Sequence, residues 1–142
     1  MAVTRIMGID YGRRRIGLAI ADLETRIAVP LATLEGRNDA SRDARLVLDA
    51  AHGEEATLLV VGLPLNMDGS DSEQTALTRS FAVELGRLGD VPVHLHDERL
   101  TSHAANEALD AAGIRSRDRR GLTDRIAAQK ILQSYLDEAS AQ

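Results

Sequence analysis

Val3–Tyr11 reads VTRIMGIDY, Gly12-Arg13-Arg14-Arg15 follows, and Ile16–Ala21 reads IGLAIA. The compact apolar run Ile6-Met7-Gly8-Ile9 has the length and character of a buried strand, and it ends at Asp10. The polar stretch turns the chain, which returns as a second strand. A further turn over Asp22–Thr25 leads to a third strand, Ile27–Leu34. Pro30 within it points to an edge position or a bulge, because proline cannot donate to a central ladder. Three strands joined by such short turns form an antiparallel meander.

Past Gly36 the periodicity changes. Ser41–Ala51 is rich in helix formers, with helical spacing at Ala44, Leu48 and Ala51. Thr57–Gly62 (TLLVVG) is a continuous apolar strand, and Ser70–Leu88 is a helix whose Ser70-x-x-Glu73 has capping-box spacing. Val91–His96 is a fifth strand. Thr101–Ala112 reads as a short helix ended by Gly113, Arg115–Gly121 as a charged loop, and Thr123–Ala139 as the last helix. Strands separated by whole helices run parallel with right-handed crossovers. The expectation is an α/β protein with a mixed five-stranded sheet, three strands antiparallel and two parallel, flanked by helices. With no repeat or linker in view, residues 1–142 read as one domain.

Composition narrows the function classes. At 142 residues and 44% hydrophobic, the chain can build a core and is not of disordered type. It has no cysteine, which removes disulfides, zinc–thiolate sites and thiol nucleophiles. No run approaches the roughly 20 apolar residues of a membrane span, and the N-terminus lacks a signal-type apolar segment; the expectation is a cytoplasmic protein with no membrane partner. The formal charge is −5, against what a general phosphate-neutralising protein would carry. Nucleic-acid contact would have to rely on local clusters, Arg13-Arg14-Arg15 and the spaced Arg115, Arg117, Arg119 and Arg120.

Three acids stand where core-facing elements end. Asp10 closes an apolar strand, and carboxylates are seldom buried unless paired or bound to metal. Glu98 follows the fifth strand at its carboxyl end, where ligands gather in open α/β sheets. Asp124 opens the stripe Asp124, Ala128, Ile131 and Tyr135 on the last helix, although a first-turn acid is also what a helix dipole favours. Oxygen-only ligands suit Mg2+ or Mn2+, and metal held by shared carboxylates is one way to cleave a phosphodiester.

These residues fall into four stretches. Gly8-Ile9-Asp10-Tyr11-Gly12-Arg13-Arg14-Arg15-Ile16-Gly17-Leu18-Ala19 resembles the opening motif of the YqgF/RuvX family, Holliday-junction-resolvase-like proteins also described as pre-16S ribosomal RNA nucleases. Val61-Gly62-Leu63-Pro64 with Met67-Asp68-Gly69-Ser70 resembles the second motif, Asp97-Glu98-Arg99-Leu100-Thr101-Ser102 the third, and Asp124-x-x-Ala127-Ala128-x-x-Ile131-Leu132 the fourth. The resemblance spans essentially the whole chain, in order. It implies a ribonuclease H-like fold and assigns Asp10, Glu98 and Asp124 as the catalytic, metal-binding triad. The departures, Thr123 and the turn Leu23-Glu24-Thr25, touch no acid.

Other residues have a plain reading beside the functional one. Gly62-Leu63-Pro64 through Gly69 joins a strand to a helix N-terminus, where backbone N–H groups can receive phosphate; the plain alternative is a tight turn whose Pro and Gly serve geometry only, and the resemblance favours substrate contact. Gly12, Arg13, Arg14, Arg15, Gly62, Pro64 and Arg99 are the candidate substrate contacts, with Arg99 as apt to pair with a neighbouring acid. His94-x-His96 shares a strand face but lacks the further ligands of a zinc site, and ordinary polar placement is the better account.

The leading expectation is a metal-dependent endonuclease leaving a 5′-phosphate, with structured RNA ahead of branched DNA as substrate, acting as monomer or homodimer. Asp10-x-Gly12 also resembles the phosphate hairpin of sugar-kinase and actin-like ATPases, but those enclose nucleotide between two such domains. A non-catalytic binding module is the third reading, since fold alone does not establish activity. One Phe, two Tyr and no Trp leave little for base stacking.

Overall fold

The computed structural model describes residues 4–99 and 116–140, with 116–122 and 140 described as backbone only. The elements run β1 (Arg5–Tyr11), β2 (Arg15–Asp22), β3 (Val29–Glu35), α1 (Ala40–Gly53), β4 (Ala56–Leu63), α2 (Glu73–Leu88), β5 (Val93–Asp97) and α3 (Ser116–Ser140). The sheet order is β3-β2-β1-β4-β5. β1 pairs antiparallel with β2 and parallel with β4; β2 pairs antiparallel with β3, and β4 parallel with β5. This is the mixed α/β sheet expected, a ribonuclease H-like fold.

Pro30 lies on the edge strand β3, beside an irregularity: Leu18 faces Ala32 and Ala19 faces Pro30, so β3 carries Leu31 as an extra residue. Both anticipated reasons for tolerating a proline apply.

The period of two along each strand divides the core. Met7, Ile9, Tyr11, Ile16, Leu18, Leu59 and Val61 join Ala44, Val47 and Ala51 of α1 and Phe81 and Leu85 of α2 on one face. Ile6, Ala19, Ala21 and Val60 join Ala128, Ile131, Leu132 and Leu136 of α3 on the other. Each large aliphatic side chain so buried contributes roughly 1.5–3 kcal/mol.

The second face is built for close approach. Gly8, Gly17 and Gly62 lie under α3, and an added Cβ would press on Leu132 and the Ala128 carbonyl at Gly8, on the Asp124 backbone at Gly17, and on Glu98 and Ile131 at Gly62. α3 also ties down the loop after β2: Gln133 accepts from the Ala28 N–H at 2.9 Å, and Gln129 donates to its carbonyl at 3.0 Å.

Two local expectations, the start of α2 and the charged loop, are corrected. α2 begins at Glu73 with Ser72 as its cap: Ser72 Oγ accepts from the Thr75 N–H, and Thr75 Oγ1 accepts from the Ser72 N–H at 2.9 Å. Ser70 is taken up two residues earlier, its N–H and hydroxyl both donating to Asp68 Oδ1, which closes the preceding turn. In α1 the deepest residues are Asp43, Ala44, Val47 and Ala51, with Leu48 only partly buried. The charged segment after Arg115 is no loop, because the backbone is helical from Ser116 onward. Arginine is a good helix former, and no proline interrupts the run. The expected helix Thr101–Ala112, Gly113 and Arg115 lie outside the described residues.

Candidate active site

Asp10 shares its strand face with Ile6 and Gly8, so it points to the α3 side of the sheet. On β5 the same phase carries His94 and His96 and continues to Glu98, one residue beyond the strand end. Asp124 stands in the α3 turn that lies over Gly17, and Gly17 is the register partner of Asp10 on β2. All three acids therefore meet on one face at the carboxyl end of β1 and β5. A single added methyl at Gly17 or Gly62 would push α3 or Glu98 out of place.

The electrostatics report the crowding. Burial, and then the neighbouring Asp124 carboxylate, push Asp10 up to about 7. Burial, followed by Asp10 and Asp97, pushes Glu98 up to about 8. Asp124 is also raised by burial, although its ion pair with Arg15 pulls the other way. That pair is close, Arg15 Nε to Asp124 Oδ2 at 2.7 Å, with the side chains 42% and 21% exposed. Among the described residues, no three His, Asp or Glu side chains are gathered closely enough to hold an ion as they stand. The donors are hard carboxyl oxygens whose ionisation their surroundings oppose, a donor set whose chemistry fits a hard divalent cation.

The three arginines of the first turn have separate fates. Gly12 shapes the turn, its N–H donating to the Arg15 carbonyl at 3.0 Å. Arg13 reaches Glu73 at the start of α2 (2.7 Å), Arg14 is exposed, and Arg15 holds Asp124. Arg99 pairs with Asp97 (2.6 Å between Nη2 and Oδ2) and donates to the Met67 carbonyl at 3.2 Å, so it buttresses the β4–α2 loop.

That loop is closed on itself. The N–H groups of Leu65, Asn66, Gly69 and Ser70 all have partners within it, and the Pro64 carbonyl accepts the Thr75 hydroxyl. These four N–H groups are thus committed to the turn itself. Gly69, at φ +88°, provides the left-handed turn position. Gly62 contributes through the space it leaves for Glu98. His94 and His96 bond to Tyr135 and Ser134 of α3 at 2.8 and 2.9 Å, which agrees with ordinary polar placement.

Two features were not singled out from the sequence. Gly17 carries a signal there, since a glycine inside a strand marks close backbone approach. Asp43 also does, as an acid in phase with Val47 and Ala51 on the buried stripe of α1. It is fully buried and accepts from the Tyr11 hydroxyl at 2.6 Å and the Arg37 N–H at 2.9 Å. Tyr11 in turn stacks on Phe81 with ring centroids 4.0 Å apart and accepts at its carbonyl from Gln74. The residue after Asp10 is thus clamped from the opposite face.

Comparison with known proteins bears on the family and the fold. A protein of Anaeromyxobacter dehalogenans (strain 2CP-C) named "Putative pre-16S rRNA nuclease" is 46% identical over 133 residues, covering 94% of this chain and 96% of its own. One of the same name from Nitrosospira multiformis is 41% identical, covering 95% and 89%. Among solved structures, Thermus thermophilus RuvC in complex with a Holliday junction substrate superposes with a TM-score of 0.55 at 16% identity, covering 96% of each chain. That likeness bears on the fold. The family model described as "RuvX: Holliday junction resolvase" matches residues 4–138, and the chain belongs to that family.

Proposed function

We propose that this chain is a nuclease that hydrolyses phosphodiester bonds at the Asp10–Glu98–Asp124 end of the sheet, in maturation of the 5′ end of pre-16S ribosomal RNA. The observation that carries the reading is the convergence of three acids, from β1, the end of β5 and α3, where burial and mutual repulsion oppose their ionisation. The names of the relatives support the substrate. Asp10, Glu98 and Asp124 would hold Mg2+ or Mn2+, which when bound supplies Lewis acidity and a more acidic water. Asp10 and Glu98 give up protons to hold the cation, and Arg13, Arg14 and Arg15 on the adjoining turn place the backbone of the substrate. Arg99 keeps the β4–α2 loop against the end of β5.

A second reading, cleavage of branched DNA, is favoured by the family description and by the fold shared with RuvC. One experiment separates the two. Purified protein is incubated with pre-16S RNA and with a four-way DNA junction, in Mg2+, Mn2+ or chelator, beside Asp10→Asn. Cation-dependent cutting of the RNA alone, lost in the variant, is the expected result. Cutting of the junction alone would install the second reading, and no cutting of either would leave a binding module.

A further inference from the structure

The Arg15–Asp124 pair stands at the junction of two requirements. Asp124 carries one of three acidic groups packed at one end of the sheet, and Arg15 Nε sits 2.7 Å from its Oδ2. Arg13 is engaged by Glu73, and Arg14 is exposed. Among the described residues, Arg15 is thus the cation paired with Asp124. It emerges from the hairpin turn with 42% of its side chain exposed, so the guanidinium can leave without disturbing the core. A divalent cation among the three acids would make the same carboxylate a poor partner for a second positive charge, and like charges repel at such range. A guanidinium released there lies beside the site, with a planar fork suited to a phosphodiester.

We propose that Arg15 is a two-position residue: it holds Asp124 in the cation-free protein and is exchanged for the divalent cation, which frees it to bind the phosphate of the substrate. This rests on Asp10, Glu98 and Asp124 being the cation ligands, as proposed above. It adds a coupling, in which cation loading creates the phosphate contact, so that the substrate meets a complete site only after the cation has arrived.

The test uses the full chain and Mg2+ or Mn2+ alone. Cation affinity is measured by calorimetry for the wild type, Arg15→Gln and Arg14→Gln, and the Arg15 Nε–Hε resonance of the wild type is followed by NMR as Mg2+ is added. Removing the competing guanidinium in Arg15→Gln should tighten binding by about two- to fivefold, the scale of a partly exposed ion pair. Arg14→Gln removes the same charge from the same turn without touching Asp124 and should bind as the wild type does. The Arg15 resonance should move to the position of a free guanidinium on loading. Equal or weaker binding by Arg15→Gln, or an unmoved Arg15 resonance in a wild type that binds the cation, overturns the exchange and leaves the site reading intact. Equal tightening by both variants would reduce the effect to general charge and also overturn it. Absence of cation binding by the wild type overturns the exchange together with the site reading.

Discussion

At the scale of the residue, the most consequential property is that two carboxyl groups resist ionisation. Asp10 is displaced from 3.8 to about 7, and Glu98 from 4.5 to about 8. Over that interval the folded chain keeps protons that the unfolded chain has released. Their contribution is therefore fully present below the ordinary values and lost as the pH rises through the raised ones. Cation-free protein should melt at progressively lower temperature between about pH 5 and 8 in chelator, and Asp10→Asn should flatten part of that slope and melt higher than the wild type at pH 8. A flat wild-type profile would contradict the crowding. The same protons must leave when a cation binds, so calorimetry of Mg2+ binding at pH 7 in buffers of different ionisation enthalpy should reveal proton release, reduced in Asp10→Asn.

Packing at the scale of the element decides whether the acids meet. Helix α3 reaches the sheet only because Gly8, Gly17 and Gly62 present no side chain to it. Gly17→Ala would set a methyl against the backbone of Asp124, which cannot rotate aside. It should cost about 1–3 kcal/mol in urea unfolding, the usual range for overpacking, and should lower cleavage more than stability alone explains. Gly62→Ala meets the Glu98 carboxylate and the end of Ile131, so its main loss should be in cation affinity, read by calorimetry. On the opposite face, Asp43 joins the start of α1 to the end of β1 through Tyr11. Tyr11→Phe removes one donor from a buried carboxylate that retains two backbone donors, and about 1–2 kcal/mol is expected. Asp43→Ala leaves the Tyr11 hydroxyl and two N–H groups without their acceptor and should cost more. Reversal of that order in chemical denaturation would mean that the clamp is not held by Asp43.

For the whole molecule, the net charge of −5 limits how nucleic acid can be held. Attraction must come from a small region, and the Arg13–Arg15 turn beside the site supplies at most three charges. Because each neutralised phosphate contributes about 0.9 to the slope of log affinity against log salt for duplex DNA, and about 0.7 for single strands, a shallow slope of roughly −1 to −3 is expected. Fluorescence anisotropy with labelled RNA in Ca2+ would measure it, and Arg14→Gln should reduce its magnitude by about one. A much steeper slope would locate binding elsewhere, with the arginines at 115–120 as the first place to look.

Local pattern was enough for much of the architecture. The alternation along Val3–Ala21, the edge signal of Pro30 and the switch to helical spacing after Gly36 foretold a meander followed by parallel strands, because hydrophobic period and turn length are properties of adjacent residues. The three acids stood out as candidates for the same reason, Asp10 and Glu98 at the ends of apolar strands and Asp124 at the start of the apolar stripe of the last helix. What needed the tertiary structure was everything set by residues far apart in sequence. Helix α2 is capped by Ser72 rather than Ser70 because Ser70 had already closed a turn with Asp68, and two nearby serines look alike until that bond is formed. The arginine-rich stretch beyond Arg115 continues a helix, since charge alone does not distinguish a solvated loop from a helix of good formers. The fates of Arg13, Arg15 and Arg99 were each decided by a distant or neighbouring acid, Glu73, Asp124 and Asp97. The sequence by itself determined the strands, their order of appearance and the acids at their ends; only the fold could bring Asp124 over Gly17, because that contact depends on how closely a helix packs on a sheet across more than 100 residues of chain.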